Sequence, residues 1–241
     1  VARAIHAAGT RSGRPFVAMN CGGIVATLAE SLLFGHSRGA FTGADSATTG
    51  AFRSADGGIL FLDEIGELSP TAQAKLLRVL ETHTIDPLGD TRSHKVDIRI
   101  IAATNEDLLA QIKTGRFRLD LYYRLNVIPI QLPPLRDRGE DILALAKHYL
   151  GAFTAEEGAV AKSFSPAAER ALMVYFWPGN IRELGAVIDR AVILGGGRSL
   201  EIAVALGLGQ PSVVPPPPEM VTLYEVIPET IPPLTAEQPA E

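Results

Sequence analysis

The sequence predicts an α/β protein, a parallel sheet covered by helices and followed by a smaller helical region, on three observations. Short apolar runs at residues 16–19, 59–62 and 98–103 alternate with segments of helical period, the pattern of strand–helix units with a parallel sheet. The run Ile59-Leu60-Phe61-Leu62 is wholly apolar and ends in Asp63-Glu64, the composition of a strand buried on both faces. From Asp141 onward only helical periods recur. In order, residues 2–8 read as a helix, 16–19 as a strand, 28–34 as a helix, 40–44 as a loop and 59–62 as the central strand. Ser69-Pro70 supplies an N-cap with proline at the first helical position, and Leu76, Leu77 and Leu80 continue that helix to about Thr82. The run 98–103 closes on Thr104-Asn105, with Asn105 expected to cap a helix stopping at Gly115. Residues 118–124 read as a short helix and 127–132 as a further strand. Helices are then expected over 142–153, from Ser165-Pro166 to about 176, and over 180–194, where Asn180 and Glu183 have capping-box spacing.

Composition narrows the class. Of 241 residues, 46% are hydrophobic and 20% charged, ordinary globular usage. No apolar run reaches the roughly 18 residues of a membrane span and no leader pattern opens the chain, so a cytoplasmic protein with no membrane partner is expected. A single cysteine, Cys21, excludes an internal disulfide framework and a Cys-cluster metal site; it reads as a small buried hydrophobe. The histidines never fall four residues apart, so the helical two-His metal spacing is absent, and any metal arrives with a ligand. Residues 1–198 carry all 22 Lys and Arg against 21 acids, whereas residues 199–241 carry six Glu and no base. Such a body lacks the basic footprint of a dedicated DNA-binding domain. Nine of the 17 prolines lie beyond residue 209, which predicts an extended, disordered tail. The expected divisions are 1–135 for the α/β part, 136–208 for the helical part and 209–241 for the tail. Opening on Val1 inside a helix points to a fragment.

Acids at the carboxyl end of a buried parallel strand sit where open α/β sheets bind ligands. Asp63 there can hold Mg²⁺, usually through water, while Glu64 orients or deprotonates an attacking water; four apolars and two acids equally describe a strand that merely ends in polar residues. The usual companion, a G-x-x-x-x-G-K-[ST] phosphate loop, is absent, since none of the five lysines follows a glycine. Gly35-His36-Ser37-Arg38-Gly39 fits the G-x-S-x-G elbow of serine hydrolases, but a helix before it and a loop after it are the wrong context. Gly39-Ala40-Phe41-Thr42-Gly43-Ala44 places one aromatic between flexible glycines, where it presents Phe41 to a partner or tucks it into the core. Arg118 and Arg124 bracket Asp120-Leu121-Tyr122-Tyr123, as surface guanidiniums or as groups that neutralise a phosphoryl group held by a neighbouring subunit. Thr104 and Asn105, at a strand end, contact a γ-phosphate or cap the next helix.

Taken in order, these segments resemble the central AAA+ domain of sigma-54-dependent transcription activators, the bacterial enhancer-binding proteins of NtrC type. The resemblance rests on Leu33-Phe34-Gly35-His36 leading into the Gly39 to Ala44 hexapeptide, on Asp56-Gly57-Gly58 through Asp63-Glu64-Ile65, and on Ala102-Ala103-Thr104-Asn105. It continues through Phe117-Arg118-Leu119-Asp120-Leu121-Tyr122-Tyr123-Arg124-Leu125, Leu132-Pro133-Pro134-Leu135-Arg136 and Trp177-Pro178-Gly179-Asn180-Ile181-Arg182-Glu183-Leu184, and spans residues 1 to about 194.

That resemblance implies ATP hydrolysis in a ring, usually of six subunits, with nucleotide at subunit boundaries. It implies that Asp63 organises Mg²⁺, that Glu64 activates water, and that Asn20 is the switch asparagine holding or releasing that glutamate. Thr104 and Asn105 match the sensor I position, Arg182 the sensor II arginine, and Arg118 and Arg124 the arginines acting in trans. The loop Gly39, Ala40, Phe41, Thr42, Gly43 and Ala44 would touch the sigma-54 RNA polymerase holoenzyme near promoter DNA, and residues 83–95 would form a second moving loop. The family's phosphate loop would lie upstream of Val1, so the chain as written is expected to hydrolyse ATP poorly or not at all. No enhancer-reading helix-turn-helix is recognised, and a non-hydrolysing module that only contacts sigma-54 or sister subunits is the alternative.

Overall fold

The structure, a computed structural model, describes residues 1–41, 43–90, 92–156, 162–194, 199–200, 202 and 205–206. The expected limit of folding near 208 and the proline-rich tail lie outside the described residues. The chain divides into two compact units, Val1–Ile130 and Gln131–Glu241.

The first unit is an α/β layer. Strands β1 (Phe16–Asn20), β2 (Ile59–Asp63) and β5 (Arg99–Ala102) form a parallel sheet in the order β1-β2-β5, with Phe16 opposite Ile59, Asn20 opposite Asp63 and Leu62 opposite Ala102. Because all three run the same way, their carboxyl ends share one edge. The central strand is the most apolar, with Leu60 and Leu62 fully buried, as a strand covered on both faces requires. Around it lie α1 (Ala2–Ala8), α2 (Ala26–Phe34), α3 (Ala51–Ser54), α4 (Pro70–Thr82), α5 (Leu108–Lys113) and α6 (Leu119–Leu125). Phe34 and Phe52 stack at 5.3 Å between α2 and α3, and the Lys75 ammonium of α4 meets Glu30 of α2 at 2.6 Å. Ser69 caps α4 as its sequence predicts, its hydroxyl oxygen accepting the Ala72 N–H at 3.2 Å. Two-residue strands β3 (Thr84–Ile85) and β4 (His94–Lys95) pair antiparallel at the base of a loop beyond α4.

The second unit is mainly helical. Helices α7 (Asp141–Glu156), α8 (Pro166–Val174) and α9 (Asn180–Leu194) enclose a core containing Leu150, Leu172, Trp177, Leu184 and Ile188. Trp177 is fully buried, and its indole N–H donates to the Leu172 carbonyl at 2.9 Å, so its one polar atom is satisfied. A small parallel pair, β6 (Ser163–Phe164) with β7 (Ser199–Leu200), is an addition that apolar periodicity did not indicate.

Three local expectations are corrected. Residues 127–132 form no strand: Val127, Ile128, Ile130 and Leu132 are exposed and outside the sheet. A strand exists by pairing its backbone groups, and Pro129 removes a donor from the middle of this run. Asn105 does not cap α5; Asp107 does, accepting the Leu109 and Ala110 N–H groups at 2.9 and 3.0 Å. The capping box at α9 is also rearranged. Glu183 accepts the Gly179 N–H at 2.8 Å, while the Asn180 side-chain oxygen is drawn away to accept the Leu135 N–H at 2.7 Å.

Candidate functional site

The carboxyl edge of the sheet gathers the residues the sequence singles out. Asn20 ends β1, Asp63 ends β2, and Thr104 and Asn105 follow β5. Three backbone bonds between the strand ends hold the edge together: Cys21 N–H to the Asp63 carbonyl at 2.8 Å, Ala103 N–H to the Leu62 carbonyl at 2.8 Å, and Ile65 N–H to the Ala103 carbonyl at 2.9 Å. The loops after all three strands are thereby fixed relative to one another.

Glu64 adopts a left-handed backbone, φ 54° and ψ 49°, a conformation that costs a residue with a Cβ about 1–2 kcal/mol. The twist lets the chain leave β2 sharply and separates the two carboxylates. The Asp63 carboxylate accepts the Glu64 N–H at 3.1 Å, whereas the Glu64 carboxylate reaches towards Asn105, whose N–H donates at a long 3.4 Å. Strain of this kind concentrates at functional positions. The Asn20 carboxamide oxygen accepts the Gly22 N–H at 2.7 Å, and a Cβ on Gly22 would lie 3.2 Å from that oxygen and 3.5 Å from the Glu64 Cβ. Asn20 and Glu64 are therefore neighbours, although no hydrogen bond joins their side chains among the described residues. Thr104 does not cap α5 either; its hydroxyl oxygen accepts the Glu106 N–H at 3.0 Å and leaves Asn105 exposed at the edge.

Among the described residues no cluster of three or more His, Cys, Asp or Glu could cage a metal ion. A half-buried carboxylate with hard oxygen donors, flanked by one more, fits Mg²⁺ delivered on a phosphate ligand, because that ion keeps most of its waters and takes only one or two protein carboxylates. Cys21, beside Asp63, is buried; burial and then the Asp63 charge push its thiol up to about 11, which suits a packing residue and not a nucleophile.

Arg118 and Arg124 stand at either end of α6. The Arg118 guanidinium donates twice to Asp120, at 3.0 and 2.7 Å, and its hydrogen bond is the main reason the Asp120 carboxyl sits below the usual carboxylate range. Arg124 donates to the Leu80 carbonyl at 3.3 Å. Both are exposed. Arg182 is exposed on α9 of the second unit.

The six-residue loop is closed at its neck by the Gly39 N–H donating to the Ala44 carbonyl at 2.9 Å. Gly39 and Gly43 take φ 79° and 94°, which residues with a Cβ rarely adopt. Phe41 is 39% exposed at the tip and its ring lies 5.0 Å from His36; Thr42 lies outside the described residues. His36 bridges both to Thr48 and to Leu88, and Ser37 N–H donates to the Leu88 carbonyl at 2.9 Å. Residues 35–37 thus join the loop carrying Phe41 to the loop between β3 and β4. Among the described residues the Ser37 hydroxyl is hydrogen-bonded to no histidine; it donates to the Leu88 carbonyl at 3.3 Å.

Sequence reasoning missed two glutamines. Gln73 and Gln111 are buried and tie together the segments behind the site. Gln111 donates to the Glu106 carboxylate, and its own amide oxygen has no hydrogen-bond partner among the described residues. A polar residue three positions before Leu76, on the apolar face of α4, was the available signal for Gln73.

Comparison with known proteins places these features in a family. Residues 1–131 match the model of the sigma-54 interaction domain and residues 136–204 that of the AAA+ ATPase lid domain. The chain is 54% identical over 194 residues to the nitrogen fixation protein AnfA of Azotobacter vinelandii, covering 80% of this chain and 36% of that protein. It is 50% identical over 210 residues to the transcriptional regulatory protein ZraR of Salmonella typhimurium, covering 85% and 48%. The chain therefore spans half or less of the length of these relatives. The crystal structure of NtrX from Brucella abortus in complex with ATP superposes with a TM-score of 0.75 at 37% identity, covering 82% of this chain and 43% of that one. By sequence, by fold and by the order of its two units, this chain belongs to the sigma-54 interaction domain family of AAA+ proteins.

Proposed function

We propose that this chain is the ATP-driven part of a sigma-54-dependent transcription activator, remodelling the closed complex of sigma-54 RNA polymerase. The observation that carries the reading is the meeting of Asn20, Asp63, Glu64 and Asn105 on one sheet edge, the place where such sheets hold ligands. In this reading ATP occupies the boundary between copies of the chain in a ring, usually of six. Asp63 would hold Mg²⁺ through water, and that ion supplies charge neutralisation on the phosphates. Glu64 orients and deprotonates the attacking water, Thr104 and Asn105 face the γ-phosphate, and Arg182 contributes to nucleotide binding. Arg118 and Arg124 extend from one copy to the next copy's phosphates. Phosphoryl transfer gives a protein little covalent work, so positioning and charge dominate, and a trans arginine contributes about 10³ to 10⁵ in rate.

Asn20 is assigned as the switch that senses whether Glu64 is engaged. Its amide nitrogen is the group able to donate to Glu64 while its oxygen stays on Gly22. Nucleotide-dependent change at this edge then biases the loop of Gly39, Ala40, Phe41, Thr42, Gly43 and Ala44, which presents Phe41 to sigma-54 close to promoter DNA. The nucleotide complex of the NtrX relative supports ATP as the ligand.

The test is Glu64→Gln in the full-length protein. ATP binding is expected to persist while turnover falls about 10²-fold or more. Turnover equal to wild type would remove Glu64 from the reaction, and absence of turnover in the wild-type protein would favour a non-hydrolysing module that only contacts sigma-54 or its own copies.

A further inference from the structure

Gln73 occupies an unusual position for a polar side chain. It is fully buried on α4, one turn before Leu76, and every hydrogen-bonding atom of its carboxamide is used. The amide nitrogen donates to the Leu68 carbonyl at 2.8 Å and to the Arg116 carbonyl at 2.9 Å, while the amide oxygen accepts the Arg118 N–H at 2.9 Å. Two carbonyls and one N–H permit a single orientation of the amide, so the assignment follows from its partners.

Those partners belong to two functional segments. Leu68 closes the turn that begins at Glu64, its N–H donating to the Ile65 carbonyl at 3.3 Å. Arg118 stands at the N-cap of α6, where a backbone N–H has no acceptor within the helix. One side chain therefore links the turn carrying the carboxylates to the start of the helix carrying the arginines. An apolar residue of the same shape would leave the Leu68 and Arg116 carbonyls and the Arg118 N–H without this partner, a cost the amide removes. In satisfying all three it also fixes the distance between Leu68 and Arg118, which no apolar side chain could do.

We propose that Gln73 is a positioning residue for Arg118, setting where the arginine is presented to a neighbouring copy and coupling that position to the turn after Glu64. The inference rests on the reading of Arg118 as a group acting in trans. It predicts that a defect at Gln73 belongs to the next copy's site and leaves the copy's own carboxylates competent.

Mixing variants of the full-length protein separates these claims. Gln73→Met alone should lower ATP turnover about 10²-fold, the effect of a displacement of about 1 Å, with KM little changed. Mixed with Glu64→Gln, it should regain activity, because the intact Glu64 of one copy meets the well-placed Arg118 of the other. Mixed with Arg118→Ala, it should regain none. The control pair, Arg118→Ala with Glu64→Gln, should also recover. Recovery in the control but not with Gln73→Met would overturn the role of Gln73 while leaving the shared site standing, and no recovery in the control would overturn both. Should Gln73→Met not fold, hydrogen exchange on the wild-type protein decides. The Arg118 amide should exchange slowly, and exchange at the rate of an unprotected amide would overturn the proposal.

Discussion

The imidazole of His36 lies 5.0 Å from the ring of Phe41, tilted by 59°, and its Nδ1 is 2.7 Å from the buried Ser31 hydroxyl. The aromatic tip of the loop therefore rests on a residue anchored to α2. A loop held this way keeps a defined shape without burying its tip.

Phe41→Ala should separate folding from partner binding. With Phe41 39% exposed, its loss should change unfolding free energy by no more than about 1 kcal/mol, while binding to sigma-54, measured by co-sedimentation with the purified factor, should disappear. Retained binding would remove Phe41 from the interface.

Glu64 offers a test in which stability and turnover move apart. Replacing it with glycine relieves a left-handed backbone worth about 1–2 kcal/mol and introduces a glycine entropy cost of about 0.5–1 kcal/mol. Glu64→Gly should therefore match or slightly exceed wild type in urea unfolding while abolishing hydrolysis. A loss of stability greater than about 1 kcal/mol would show that the turn is not strained at this residue.

Gly58 sits where two segments nearly touch. A Cβ there would stand 2.1 Å from the Pro15 carbonyl oxygen, and that carbonyl accepts the Ile59 N–H at 2.9 Å where β1 and β2 begin to pair. Backbone cannot swing aside as a flexible side chain can. Gly58→Ala is expected to cost about 3 kcal/mol, read as a lowered denaturant midpoint; a midpoint within experimental scatter of wild type would contradict this packing.

Cys21 should resist thiol reagents in the native protein at pH 8, since burial holds the thiol well above its usual 9.0, at about 11, and react fully once urea unfolds the chain. Stoichiometric native labelling would show the site to be open. The sign of the linkage follows. A thiol raised on folding contributes stability that is complete below pH 9 and is lost as pH rises towards 11, so the unfolding midpoint should fall across that window, and Cys21→Ala should remove that part of the dependence.

Local chemistry wrote much of this protein into its sequence. The run 59–62 read as a buried strand, Ser69-Pro70 as the opening of a helix, and the glycines around Phe41 as a loop; each reading depends on neighbours within a few residues. Asp63 and Glu64 were likewise legible, because two acids after four apolars leave a buried strand at one end. Tertiary structure decided what depends on distant partners. Residues 127–132 have strand composition but join no ladder, and a strand is defined by pairing that its own residues cannot supply. Asn180 has the spacing of a capping residue, yet Leu135, 45 positions away, claims its side chain. Gln73 had no motif around it, since its meaning lies in Leu68, Arg116 and Arg118, which only the packing of α4 against the start of α6 brings within reach of one amide.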